Sequence, residues 1–151
     1  MNRTGVIYGI NGPVIYLQGN TGFKMSEMVY VGQEKLVGEV IGLTKDMTTI
    51  QVFEETTGLK PGELVEATGD AISVVLAPGI LHNIFDGIER PLSEIAKTGG
   101  AYITRGTIVD SLDKEKLWDA HMTVKAGERV RGGTILCEVQ EPHAVVHKVM
   151  V

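Results

Sequence analysis

Residues 51–65, QVFEETTGLKPGELV, place three carboxylates, Glu54, Glu55 and Glu63, around a turn built on Gly58 and the Pro61-Gly62 pair. Two carboxylates can act as general acid and base or as oxygen ligands for a divalent cation, provided that they share one face. Glu54 and Glu55 are adjacent, so on a strand they point to opposite faces. Glu63 lies beyond the turn and could approach one of them, but a solvated hairpin end accounts for all three. His143 and His147 have the i, i+4 spacing that chelates zinc on a helix. Here they follow Pro142 and flank Val145-Val146 in a β-rich run, where they would stand about 13 Å apart; a structural or surface role is expected. Cys137, within GTILCEV, alternates with apolar neighbours and reads as a small core residue. A phosphate loop needs G-x-x-x-x-G-K-[ST], and AKTGG fails it, with Ala96 at the second glycine position and Pro91 at the first. G-x-G-x-x-G, C-x-x-C and nucleophile-elbow patterns are absent from the sequence as well. The residues alone predict no catalytic, cofactor-binding or metal site within this chain.

Those side chains must be carried by elements that composition already restricts. The 151 residues are 43% hydrophobic and 22% charged, the profile of a globular chain of one ordinary domain or two small ones. A net charge of -5 argues against nucleic-acid binding, which needs a basic face. The lone Cys137 cannot form an internal disulfide, and MNRTGVIYGINGP lacks the apolar core of a signal peptide, so a cytosolic location is expected. No apolar run approaches the roughly 20 residues that span a bilayer.

Nineteen glycines and abundant Val, Ile and Thr predict short strands and tight turns. Apolar or alternating segments at 5–10, 13–18, 28–32, 36–43, 48–54, 63–67 and 71–76 predict a closed N-terminal barrel ending near Leu76. The period then changes. Ile80, Leu81, Ile84 and Phe85 recur at helical spacing with Gly87 as C-cap. In RPLSEIAKTGG, Pro91 suits a first turn, Gly99 lies just past the end, and Leu92, Ile95 and Ala96 share a face. An extended linker with a short charged turn is expected over 102–118, and strands from His121. The expected fold is therefore mainly β: a small closed β-barrel over 1–76, a helical connector and linker over 77–106, and an incomplete, barrel-sandwich-like segment over 107–151.

IQVFEETTGLKPGELV (50–65) and SVVLAPGILHNIFDGIERPLSEI (73–95) closely resemble the catalytic A subunit of V/A-type rotary ATPases. That family carries I-Q-V-Y-E-E-T-x-G-x-x-P-G-E at the end of its barrel and S-V-x-L-G-P-G-I-x-x-x-I-F-D-G-I-Q-R-P-L in the connector. The resemblance continues through YITRG (102–106), the Lys116–Trp118 region, GGTI (132–135) and HKVMV (147–151), so it covers essentially the whole chain. Ala77 stands where the family usually has Gly and Glu89 where it has Gln, and DSLDKEKLWDAHM is more charged than typical. The connector and the β-rich segment after it separate this chain from the F-type subunits and from the non-catalytic B subunit. The resemblance implies that 107–151 is the start of the A-specific insertion and that the chain is a piece of a longer subunit. That subunit makes or hydrolyses ATP, with ATP/ADP and Mg²⁺, coupled to H⁺ or Na⁺ transport, in a cytoplasmic head peripheral to the membrane. Its nucleotide residues lie beyond Val151, so none is carried onto a position here. The implied partners are the B subunits of the A₃B₃ head, through the barrel, and peripheral-stalk subunits, through the insertion.

Two other readings compete. VKAGERVRGGTILCEVQE has the G-x-x-V-x-x-G-x-x-[IL] cadence of lipoyl and biotinyl carrier domains, which would need a lysine at a hairpin tip; Lys148 in HKVMV lacks that setting. Alternatively the chain is a stand-alone interaction module, whose half-built sandwich would leave strand edges open to self-association.

Overall fold

The computed structural model describes residues 3–19, 21–81, 83–99, 103–142 and 145–151. Alternation of apolar and polar residues builds six strands: β1 (Thr4–Asn11), β2 (Val14–Gln18), β3 (Glu27–Val31), β4 (Leu36–Leu43), β5 (Met47–Val52) and β6 (Leu64–Ala71). A period of two sends every second side chain inward, so Ile15, Leu17, Val29, Val31, Leu36, Val40 and Ile50 are all fully buried. Gly12 (φ 57°) reverses the chain between β1 and β2, and Gly32 (φ 71°) does so between β3 and β4, in a region that residues with a Cβ rarely enter. The strands close into an antiparallel barrel in the order β1-β2-β5-β4-β3-β6, which leaves no free sheet edge. The seam is made by Thr4↔Glu66, Gly5↔Val65 and Val6↔Leu64. Register shifts at Ile7/Gly9, Val40/Gly42 and Glu27/Val29 give the local bends that closure requires.

One charge lies inside this unit. Glu27 is 1% exposed and accepts hydrogen bonds from the amides of Lys24 (2.7 Å) and Gly69 (2.8 Å) and from the Arg3 guanidinium. Arg3 also donates to the Gly22 carbonyl at 2.6 Å, so the start of β1 is fastened to two loops.

A seventh strand over 71–76 does not form. β6 runs on to Ala71, which still pairs with Glu27 through a bulge, and the chain then leaves the barrel. Ile72, Val74, Val75 and Leu76 stay 41–72% exposed. The barrel unit comprises residues up to 73 together with 103–107, and the second unit comprises 74–102 with 108–151.

Within the second unit, the helix expected over 78–87 is replaced by turns. Asp86 Oδ1 accepts from the amides of Ile88 (3.1 Å) and Arg90 (2.9 Å), while Oδ2 accepts from Arg90 Nε at 2.7 Å. Phe85 forms a bridge with Pro91, and Glu89 takes φ 63°. A short polar side chain that holds nearby amides competes directly with helix formation. The second expected helix forms as α1 (Leu92–Gly99), preceded by Pro91. Ile95 is its buried residue; Leu92 is half-buried, whereas Ala96 is exposed.

Residues 103–119 hold no helix or strand, and Asp113 caps the charged turn by accepting from the Glu115 amide at 2.9 Å. Three strands follow: β7 (Ala120–Met122), β8 (Ile135–Glu141) and β9 (Val145–Met150), with β8 in the middle. The fold is mainly β, a closed barrel plus a second small sheet, as the sequence predicts.

Candidate functional site

The stretch that carries Glu54, Glu55 and Glu63 is not the expected hairpin, because it joins β5 to β6, which are not neighbours in the barrel, and each of its three carboxylates accepts from backbone amides. Glu63 Oε1 accepts from the Lys60 amide at 3.0 Å and Oε2 from the Gln33 amide at 3.1 Å, so it ties the Pro61-Gly62 turn to the β3–β4 loop. Glu55 accepts from the Thr57 hydroxyl at 2.6 Å and the Thr57 amide at 3.3 Å. The hydroxyl and then the amide of Thr57 lower the Glu55 pKa from 4.5, assisted by Arg105 and opposed by slight desolvation. A carboxylate held more acidic than usual is a poor proton carrier near neutral pH.

Glu54 and Glu55 do meet at one place, the segment 103–107 that returns to this unit. Glu54 Oε2 accepts from the Gly106 amide at 3.0 Å. Arg105 Nη1 donates to the carbonyls of Glu55 (3.2 Å) and Thr57, and Nη2 donates to Glu34 Oε1 at 3.2 Å. Arg105 and Gly106 are thus the working partners of the motif, and Glu34 helps to hold Arg105. Sequence reasoning missed these roles, although Arg105 and Gly106 stand inside YITRG; a cation followed by glycine was the available signal.

His147 lies on β9 with Nδ1 3.3 Å from Glu141 Oε1. Glu141 is 3% exposed, and its Oε2 accepts from the Gly79 amide at 2.9 Å. His143 lies outside the described residues. Among the described residues, no group of three or more His, Cys, Asp or Glu could hold a metal ion. Cys137 is half-buried in β8 rather than a full core residue. Lys148 sits inside β9, opposite Glu138 with Nζ 4.0 Å from Oε1, and not at the hairpin tip that a carrier lysine occupies.

The second unit also carries an open cleft of about 990 Å³, lined by residues that include Trp118, Lys97, Lys114 and Lys116. Lys97 pairs with Glu94 (2.7 Å), Lys114 with Asp110 (2.5 Å), and Lys116 lies 4.1 Å from the Trp118 ring centre. Each of these lining cations is engaged with a neighbour that also lines the cleft.

Residues 7–69 match the model for the β-barrel domain of the ATP synthase alpha/beta family, and residues 109–151 match that for the ATP synthase alpha/beta subunit barrel-sandwich domain. The chain is 50% identical over 151 residues, its full length, to the V-type ATP synthase alpha chain of Halothermothrix orenii, covering 26% of that protein. It is 50% identical over 148 residues to the A-type ATP synthase A subunit of Methanosphaera stadtmanae (98% of this chain, 25% of that one). With the A-type ATP synthase A subunit of Methanopyrus kandleri it shares 50% over 147 residues, 97% of this chain and 25% of that one. The chain therefore spans about a quarter of the length of the curated relatives it matches. Two domain models matched in order, and half-identity along the whole chain to V-type alpha chains and their A-type counterparts, lead to one conclusion: the chain belongs to the ATP synthase alpha/beta family.

Proposed function

We propose that this chain is the assembly-bearing part of the catalytic A subunit in a V/A-type ATP synthase, with no chemistry of its own. The observation that carries this reading is that Glu54, Glu55 and Glu63, the carboxylates of its family motif, are all committed to turn amides. In the whole protein, ATP or ADP with Mg²⁺ would be bound elsewhere in the subunit, in a cytoplasmic head peripheral to the membrane and coupled to ion transport. The barrel (1–76 in the sequence reading) serves the contact with neighbouring B subunits. Residues 77–106 act as connector, and 107–151 begin an insertion directed at a peripheral stalk.

An exposed apolar patch on the barrel exterior supports this reading. Val6 and Leu64 face each other across the β1–β6 seam at 52% and 53% exposure, and Tyr8, next outward on β1, is 64% exposed. A closed barrel has no internal need for such a patch, and apolar exposure of this kind suits a protein partner. The test is to place Tyr8→Glu with Leu64→Glu in the whole protein and mix it with its B-type partner. The expected result is loss of the mixed ring in native mass spectrometry, with nucleotide binding by the separate subunit unchanged. A ring that forms with unaltered stability would refute the assembly role of this surface.

A further inference from the structure

Residues 103–107 belong to the barrel unit although 29 residues of the second unit, 74–102, separate them from it in the chain. They add no strand, and the contacts that hold them are polar. The Arg105 fork reaches two carbonyls, those of Glu55 and Thr57, and one carboxylate oxygen of Glu34. Gly106, the next residue, gives its amide to Glu54. It has φ 65°, and a Cβ there would lie 2.0 Å from the Glu34 carbonyl oxygen. That oxygen is backbone and cannot swing away as the end of a side chain would. The rim therefore selects at two successive positions: a planar, permanently charged fork, then a residue with no side chain in left-handed conformation. Thr107 Oγ1 donates to the Thr104 carbonyl at 2.6 Å, so the segment arrives already turned.

We propose that the rim formed by Glu34 and residues 54–57 is a binding site for an Arg-Gly dipeptide, and that Arg105-Gly106 occupy it as a releasable strap. The site is independent of the assembly role above. While the strap is seated, both ends of the 74–102 excursion are fastened to the barrel; its release leaves only the end that continues from β6. The charged contact is open to solvent, with Arg105 35% and Glu34 51% exposed, so salt weakens it. A second Arg-Gly segment competes for the same groups, against a resident strap whose covalent attachment gives it an effective concentration in the millimolar range.

Amide exchange and chemical shifts of the 151-residue chain test this. In Arg105→Ala, the amides of 104–107 are expected to exchange at least about tenfold faster, the equivalent of one lost charge-assisted hydrogen bond, while the β2–β5 amides keep their rates. A peptide with the sequence of residues 102–108, at millimolar concentration, should shift the resonances of 34 and 54–57 at lower concentration in that variant than in the wild type, where the resident strap competes. The same peptide with alanine in place of Gly106 should shift none. Equal exchange at 104–107 in wild type and variant, or equal binding of the alanine peptide, would overturn the proposal. If Arg105→Ala disturbs the β2–β5 amides, Arg105→Lys takes its place; it keeps the charge but loses the fork, and unchanged exchange at 104–107 overturns the proposal there too.

Discussion

The buried Glu27 gives the sharpest stability prediction. Its two oxygens take the Lys24 amide, the Gly69 amide and the Arg3 guanidinium in a place 1% open to solvent. Glu27→Gln preserves the shape but turns one acceptor into a donor. Whichever oxygen is replaced, a backbone N–H is left facing another N–H, because Lys24 and Gly69 address different oxygens. One unsatisfied buried donor costs about 1–3 kcal/mol. Loss of the charge opposite Arg3 raises the total to about 3–5 kcal/mol, the usual result of breaking a buried pair on one side. Arg3→Ala should cost less, about 1–3 kcal/mol, because Arg3 is 28% exposed and the carboxylate keeps both amides. For a barrel of this size, the Glu27→Gln loss lowers the barrel melting temperature by at least about 12 °C. Scanning calorimetry measures it, with the single Trp118 marking the second unit so that the barrel transition can be assigned. A Glu27→Gln melting curve that coincides with wild type, or an Arg3→Ala variant less stable than Glu27→Gln, would refute the reasoning.

Gly38→Ala places a methyl 2.9 Å from the Gln51 carbonyl oxygen and 3.1 Å from Ile50 Cγ2 inside the barrel, and should destabilise by about 1–3 kcal/mol in urea titration. Partial burial pushes Asp86 up, but the amide and side chain of Arg90 and the amide of Ile88 outweigh it, so its pKa lies below 3.8. A depressed carboxylate stabilises the fold above its unfolded pKa, and that contribution is lost as pH falls from about 3.8 through the lower folded value. Asp86→Asn should therefore flatten the acid limb of the second unit's stability, read by Trp118 fluorescence; an unchanged limb counts against the turn described here. β7 and β9 each pair only with β8 among the described residues, so the chain should self-associate through those edges as its concentration rises. Sedimentation as a monomer at all concentrations, with slow amide exchange throughout 120–151, would contradict this.

The barrel was legible because its signal is local. Val29-Tyr30-Val31 and Leu36 through Val40 alternate with the period that the barrel wall imposes, and Gly12 and Gly32 mark reversals. Two elements were misread where local pattern and tertiary demand diverge. Ile72 to Leu76 have strand-forming side chains but no strand left to pair with, since β1 already closes on β6. Ile80 to Phe85 have helical spacing over too few residues to nucleate a helix, and Asp86 draws the following amides into turns. At the candidate site, the turns at Gly58 and at Pro61-Gly62 were legible, but the expected hairpin does not form, because β5 and β6 each pair with other strands, a choice that only barrel closure decides. The partners Arg105 and Gly106 were out of view because pairings across 50 residues or more leave no periodic trace.

The seam of the barrel also fixes an order of events during synthesis. β1 leaves the ribosome first, yet its second neighbour is β6, and the Thr4↔Glu66 pairing joins residues 62 positions apart. At translation rates of about 5–20 residues per second, β1 waits about 3–12 s for that neighbour. Throughout that interval Val6, Ile7 and Tyr8 have one flank without a strand beside it. Closure is thus the last step for the six strands on the ribosome, and the nascent barrel is most open to chaperones, and to other nascent chains, just before β6 emerges.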